Sequence, residues 1–170
     1  MANEFRDELK KLGNKQRFTF EGTFQKTGIK VASTKSGKHY KPTLLLKDVK
    51  YDNKRVTEHL WFNYTKGFGT LGELKLGDIV QFDGRVDSYV KGYFTETKKR
   101  DYKIERPTKI KLVNRDVIPN SLPDPLKETT ELIGYIMKAN EKFYKDDDRP
   151  YDEWYVQQYE NWREKHDKRK

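Results

Sequence analysis

Lysines interleaved with rings are the residues of this chain whose types and spacing suit a recognisable chemistry. Lys35, Lys38, His39, Tyr40 and Lys41 form one such cluster, and Lys91, Tyr93, Phe94, Lys98, Lys99, Arg100 and Tyr102 form a second. Between them His59 and Trp61 stand two residues apart, on one face of an extended segment. A single-stranded nucleic acid asks for this combination, cations for its phosphates and exposed rings for its unstacked bases. Each group has a plainer reading as well. Trp61 is either a stacking platform or a ring buried beneath other elements. Tyr93 and Phe94 are adjacent, so a strand would turn them to opposite faces and at most one would stack on a base. The run Lys98-Lys99-Arg100 also suits a solvated hairpin tip, although two aromatics stand close by.

Catalytic patterns are weak by comparison. Thr34-Lys35-Ser36-Gly37-Lys38-His39 has the flavour of a phosphate loop, but it lacks the first glycine and carries His where a Ser or Thr would hold magnesium. Asp146, Asp147 and Asp148 are consecutive, and carboxylates on one turn point in different directions, so helix capping suits them better than metal binding. Glu73-Leu74-Lys75 has the E-x-K half of a nuclease site without its partner carboxylate. No nucleophile–base constellation emerges. The expectation is a protein that is not an enzyme and needs no cofactor or metal.

The 170 residues carry a net charge of +9, and that charge is uneven. Residues 11–120 hold 24 Lys+Arg against 12 Asp+Glu, while residues 121–170 hold 10 against 12. The positive excess therefore belongs to the first two-thirds of the chain, where it would attract a polyanion through counterion release. Hydrophobic content is only 34% but aromatic content is 14%, so the core must be built largely from rings. There is no cysteine, which rules out disulfides and thiolate metal sites. The N-terminus lacks an apolar signal-like region and no long apolar run occurs. A soluble cytoplasmic protein with no membrane partner is expected.

The elements that must position the two clusters follow from periodicity. Residues 2–12 read as a short amphipathic helix with Phe5, Leu9 and Leu12 on one face, stopped by Gly13. Phe18, Phe20 and Phe24 alternate with polar residues in a first strand over 17–31, with Gly22 suited to a bend. A second strand covers 39–51, Tyr51-Asp52-Asn53-Lys54 is a hairpin turn, and a third strand covers 55–63. The stretch GTLGELKLGDIVQFDGRVDSYV, residues 69–90, is a turn-rich lead into a fourth strand with Val80, Phe82 and Val86 facing inward and Gly84 inside it. A fifth strand spans 102–114. Beyond residue 120 the character changes: Asp124 and Pro125 start a helical segment carrying Leu126, Leu132, Ile133, Ile136, Met137 and Phe143. DDDRP then opens a second helix with Tyr151, Trp154, Tyr155, Tyr159 and Trp162.

The run Leu74-Lys75-Leu76-Gly77-Asp78, followed by Val80, Phe82, Gly84 and Val86, resembles the entry to the fourth strand of an OB-fold. In sum the chain is similar to OB-fold single-stranded-DNA-binding proteins of the phage and plasmid type. The resemblance covers residues 16–114 and implies a five-stranded β-barrel, here with a short N-terminal helix and a C-terminal α-helical hairpin. The expected divisions are 1–15, 16–118 and 119–170. In such barrels ligands meet strands two and three and the loops joining strands one–two and four–five. That rule nominates Lys35, Lys38, Tyr40, Lys41, His59, Trp61, Lys91, Tyr93, Phe94, Lys98, Lys99 and Arg100 as nucleic-acid-binding residues. The resemblance implies sequence-tolerant binding of single-stranded DNA in phage or plasmid DNA metabolism, including replication. RNA is an alternative ligand. A different reading makes the chain a mobile-element protein–protein module, an inhibitor of host defence, with residues 126–165 as the surface for a protein partner or a homo-oligomer. The departure from the bacterial housekeeping members is the end of the chain, which is aromatic and basic where theirs is an acidic, Phe-tipped tail.

Overall fold

Extended segments with alternating apolar residues dominate the first 112 positions, and the computed structural model turns them into strands. It describes residues 8–35, 37–91, 99–114, 121–146 and 149–167. The strands are β1 (Arg17–Thr34), β2 (Gly37–Tyr51), β3 (Lys54–Asn63), β4 (Ile79–Lys91) and β5 (Lys99–Leu112). The helices are α1 (Lys66–Gly69), α2 (Thr129–Ala139), α3 (Glu141–Asp146) and α4 (Glu153–Asp167). The strands form one five-stranded antiparallel sheet in the order β3-β2-β1-β4-β5. β3 and β5 are its edges, and the sheet is not closed.

The chain divides into two compact units that do not follow sequence order. One holds Met1–Gln25, Leu46–Leu60 and Leu74–Val117; the other holds Lys26–Leu45, Trp61–Glu73 and Ile118–Lys170.

The core of the first unit is mainly aliphatic, against the expectation from composition: among the described residues Leu9, Leu46, Val49, Leu60, Val80 and Ile104 are buried there beside only three rings, Phe20, Phe24 and Phe82. Phe20 stands opposite Phe82 in the β1–β4 register, and the two rings stack with centroids 5.8 Å apart. Phe18 meets Tyr51 edge-on at 5.1 Å. The lead into β4 is pinned to β1 by its backbone: Gly77 N–H donates to Phe24 O at 3.2 Å, and Phe24 N–H donates to Asp78 O at 2.7 Å. Asp78 is buried, and its Oδ2 accepts the Lys75 N–H at 2.8 Å, which ties the turn shut. Gly84 sits at an irregularity where the β4–β5 register shifts, and a Cβ there would overlap the Ile104 Cγ2 methyl. This is the use expected of an interior glycine in a bent strand. Asp52 and Asn53, with φ of 53° and 66°, form the two-residue hairpin turn between β2 and β3. Leu9 is fully buried in the helical residues 8–12, and Gly13, at φ +77°, follows them.

The second unit is held by its helices. Leu132, Ile133, Ile136 and Met137 of α2 and Tyr159 and Trp162 of α4 are buried. Gly134 lets α2 meet the backbone of α4: a Cβ would lie 2.7 Å from the Tyr155 carbonyl carbon. Trp162 Nε1 donates to Glu128 Oε2 at 2.8 Å, which satisfies the one polar atom of that buried ring. Asp124 and Pro125 do not start the helix, which begins at Thr129; Asp124 instead closes the turn before it, accepting the Leu126 and Lys127 N–H groups at 2.7 and 3.1 Å. These two donors hold its carboxyl below the usual carboxylate range.

Two further expectations about the helices need correction. The apolar series from Leu126 to Phe143 is not one helix face. The helix breaks at Asn140, which adopts φ −113° and ψ 20°, so Phe143 emerges on α3 with a new phase and stays exposed, as does Leu126. Nor does DDDRP open the last helix. Asp146 lies at the end of α3, Asp147 and Asp148 are outside the described residues, and α4 begins at Glu153, with Asp152 Oδ1 accepting the Trp154 N–H at 2.9 Å.

Candidate functional site

Trp61 decides which cluster of the sequence can do chemistry. It points outward from β3 with about half its surface exposed (49%), so it is not a buried ring. The face it covers belongs to β1. Gly28 leaves room for the indole there: a Cβ would fall 2.7 Å from Cζ3 and 2.9 Å from Cη2 of the ring, and 3.1 Å from Thr43 Oγ1. The indole therefore lies on the strand where a side chain would otherwise stand.

Beside this ring opens a pocket of about 340 Å3, built from the far half of β1, Thr43 of β2, Trp61 and the segment around α3. Lys26 Nζ stands 5.9 Å from the Trp61 ring centroid and 4.8 Å from that of Phe143. The Arg149 guanidinium carbon lies 5.3 Å from the Phe143 centroid. Lys30 also lines the pocket, and among the described residues no carboxylate does. Among the described residues, Lys26, Lys30 and Arg149 form no salt bridge. The α3 wall is fastened to β1 by Asn140, whose Nδ2 donates to Thr27 Oγ1 at 3.1 Å and to Ile136 O at 2.9 Å. Burial raises the Tyr144 hydroxyl above the ordinary phenol value, against the opposing effects of a hydrogen bond with the Ile29 backbone and the Arg149 charge. The result is an apolar-walled, cationic recess suited to a flat anion.

The residues nominated from the sequence fall in several places. Lys35, Lys38 and Lys41 are exposed on the β1–β2 hairpin and the start of β2, in the same unit as Trp61. That hairpin runs strand to strand, so the Thr34–His39 segment is not a phosphate loop ahead of a helix. Tyr40 is half-buried and meets Tyr155 of α4 edge-on at 5.5 Å, which places it inside its own unit's packing. His59 is exposed and belongs to the other unit, as do Lys91, Lys99 and Arg100, whose strand positions alone are described. Tyr93, Phe94 and Lys98 lie outside the described residues.

Of the residues lining the pocket only Trp61 is nominated from the sequence; the cationic and exposed aromatic ones it misses are Lys26, Lys30, Phe143 and Arg149. They are distant in sequence from Trp61, and Phe143 was hidden by its helical spacing to the apolar residues of α2. Glu73 is used structurally, its Oε2 accepting the Tyr135 hydroxyl at 2.9 Å. Among the described residues no group of three His, Asp or Glu side chains is placed to hold a metal ion, and no helix is long and apolar enough to cross a membrane. No protein-family model, curated protein or solved structure matches the chain.

Proposed function

We propose that this protein binds single-stranded DNA with little sequence preference, on an OB-type sheet. Support for the fold comes from strand order. Three consecutive strands, with the fourth returning beside the first, give the Greek-key order 4-1-2-3, and the OB-fold is a partly open five-stranded Greek-key barrel. The observation that carries the function is the half-exposed Trp61 seated on Gly28, with Lys26 beside it and two further cations in the same recess. A ring of this kind offers a base its π-face whatever the base, which favours sequence tolerance. The positive excess of residues 11–120 supplies the long-range attraction.

Filter binding of a thymidine 20-mer at two salt concentrations tests this directly. Binding is expected at low salt, with the logarithm of the affinity falling by about 0.7 per phosphate contact for each tenfold rise in salt. No affinity at low salt would end this reading. A matched RNA 20-mer in competition tells whether the ribose matters, since the 2′-hydroxyl is what separates the two ligands.

The protein–protein reading keeps part of its surface: Tyr159 and Trp162 are buried within their own unit, whereas Leu126, Phe143 and Trp154 are exposed.

A further inference from the structure

We propose that the Trp61 pocket is a one-nucleotide site, half of which is supplied by the C-terminal extension. A single unstacked base lies against Trp61, Phe143 forms the second apolar wall, and Lys26, Lys30 and Arg149 receive its phosphate. This rests on the single-strand reading and goes beyond it by making Phe143, Tyr144 and Arg149 part of the ligand site.

Size argues for one nucleotide. At about 340 Å3 the pocket stands near the lower end of the roughly 300–1,000 Å3 range of small-molecule sites. It suits one base with its phosphate and leaves no room for a stack of several. The lining argues for an anion, because three cations converge there and, among the described residues, no carboxylate lines the pocket. Two rings argue for a flat, aromatic anion over a plain phosphate. Trp61 and Phe143 are 82 positions apart and sit on a strand and a helix, yet one Lys26 ammonium lies within cation–π reach of both.

Magnitudes decide whether a base can displace that ammonium. A cation over an exposed ring contributes about 0.5–1 kcal/mol, whereas a base stacked on an aromatic side chain contributes about 1–3 kcal/mol. The exchange favours the base, and the freed ammonium gains a phosphate partner. Phe143 is available for this only because the helix breaks at Asn140 and leaves the ring 40% exposed. Asn140, bonded to Thr27, holds α3 against β1 and acts as a positioning residue.

The test uses the full chain and two ligands, thymidine 5′-monophosphate and the thymidine 20-mer, with pyrophosphate as a ringless anion. Tryptophan fluorescence and calorimetry at low salt read the binding, and circular dichroism verifies that each variant folds. The monophosphate is expected to bind weakly and quench fluorescence in the wild-type chain but not in Trp61→Ala, while pyrophosphate causes no quenching. Phe143→Ala and Arg149→Gln, both at exposed positions, are each expected to weaken the monophosphate at least about fivefold and to weaken the 20-mer measurably. If the 20-mer binds normally to both variants and the monophosphate does not bind, the one-nucleotide site is wrong and the single-strand reading survives. If the monophosphate binds as expected and the 20-mer gains nothing over it, the pocket stands and the single-strand reading falls. Failure of both ligands at low salt overturns both.

Discussion

Gly28 and Trp61 act as a pair, because the missing side chain of one is the seat of the other. An added Cβ at Gly28 would press 2.7 Å from the edge of the indole, a distance real Cβ atoms do not hold. What it presses is the far end of a half-exposed side chain, which can swing away, and not backbone. Gly28→Ala should therefore fold, at a cost of about 1 kcal/mol, and lose the ligand by displacing the ring. Trp61→Ala should weaken the thymidine 20-mer by roughly 5- to 150-fold, which is the fold-change of 1–3 kcal/mol for one lost stacking contact. Both variants can be titrated beside Trp154→Ala, whose ring is more exposed still (57%) but lines no part of the pocket. Equal loss in all three would assign the effect to general surface apolarity. Retention by Gly28→Ala would mean that the seat of the ring is irrelevant.

At the scale of elements, Gly134 is a different case from Gly28. Its added Cβ meets the Tyr155 carbonyl group, which is backbone in the middle of a contact between α2 and α4. Ala in a helix interior is ordinarily better than Gly by about 0.5–1 kcal/mol, so propensity alone predicts a gain. The overlap reverses the sign, because the two helices must separate and uncover Ile136, Met137 and Tyr159. Gly134→Ala should lower stability by about 2 kcal/mol net, read as a fall in the urea midpoint of tryptophan fluorescence. A raised midpoint would show that the helices part without cost. The sequence makes most of these elements legible for a physical reason. The phenylalanines of β1 and the valines of β4 alternate with period two, and Asp52-Asn53 can accept positive φ where most residues cannot. It hides what depends on tertiary placement. In the run from Leu126 to Phe143, Asn140 after Lys138 is a modest helix-end signal that the continuing apolar spacing masks, and the amide's bond to Thr27, more than a hundred positions away, is invisible in sequence. The pocket is obscured for the same cause: Lys26, Trp61, Phe143 and Arg149 are neighbours only after β1, β3 and α3 have packed. Trp61 alone could be found, because an indole alternating with buried Leu60 and Phe62 must face the other way.

On the scale of the whole molecule, the buried tyrosines of the helical unit make stability depend on pH in the alkaline range. Tyr64, Tyr135, Tyr144 and Tyr159 all belong to the unit that holds the helices, and in all four burial is the first cause raising the hydroxyl above the ordinary 10.0. For Tyr64 and Tyr135 the nearby Glu73 carboxylate adds to the rise, and Tyr135 also donates a hydrogen bond to it. A phenol that stays neutral in the folded chain but ionises near 10 in the unfolded chain leaves the unfolded state with fewer protons above that pH. Stability is then fully present below about pH 10 and falls as pH rises through and beyond it, by at most about 1.4 kcal/mol per unit for each such tyrosine. All three tryptophans, Trp61, Trp154 and Trp162, lie in this same unit, so their fluorescence reads the surroundings of these tyrosines directly. Urea midpoints read in this way should be level from pH 8 to 9.5 and fall progressively between pH 10 and 11. Tyr135→Phe, which removes one ionisable group from the buried set, should make that decline shallower even though Glu73 loses a donor and the variant starts from lower stability. A midpoint that holds level to pH 11 would mean that these hydroxyls ionise in the folded unit as readily as in the unfolded chain, and that the packing of the α2–α4 pair does not keep water from them.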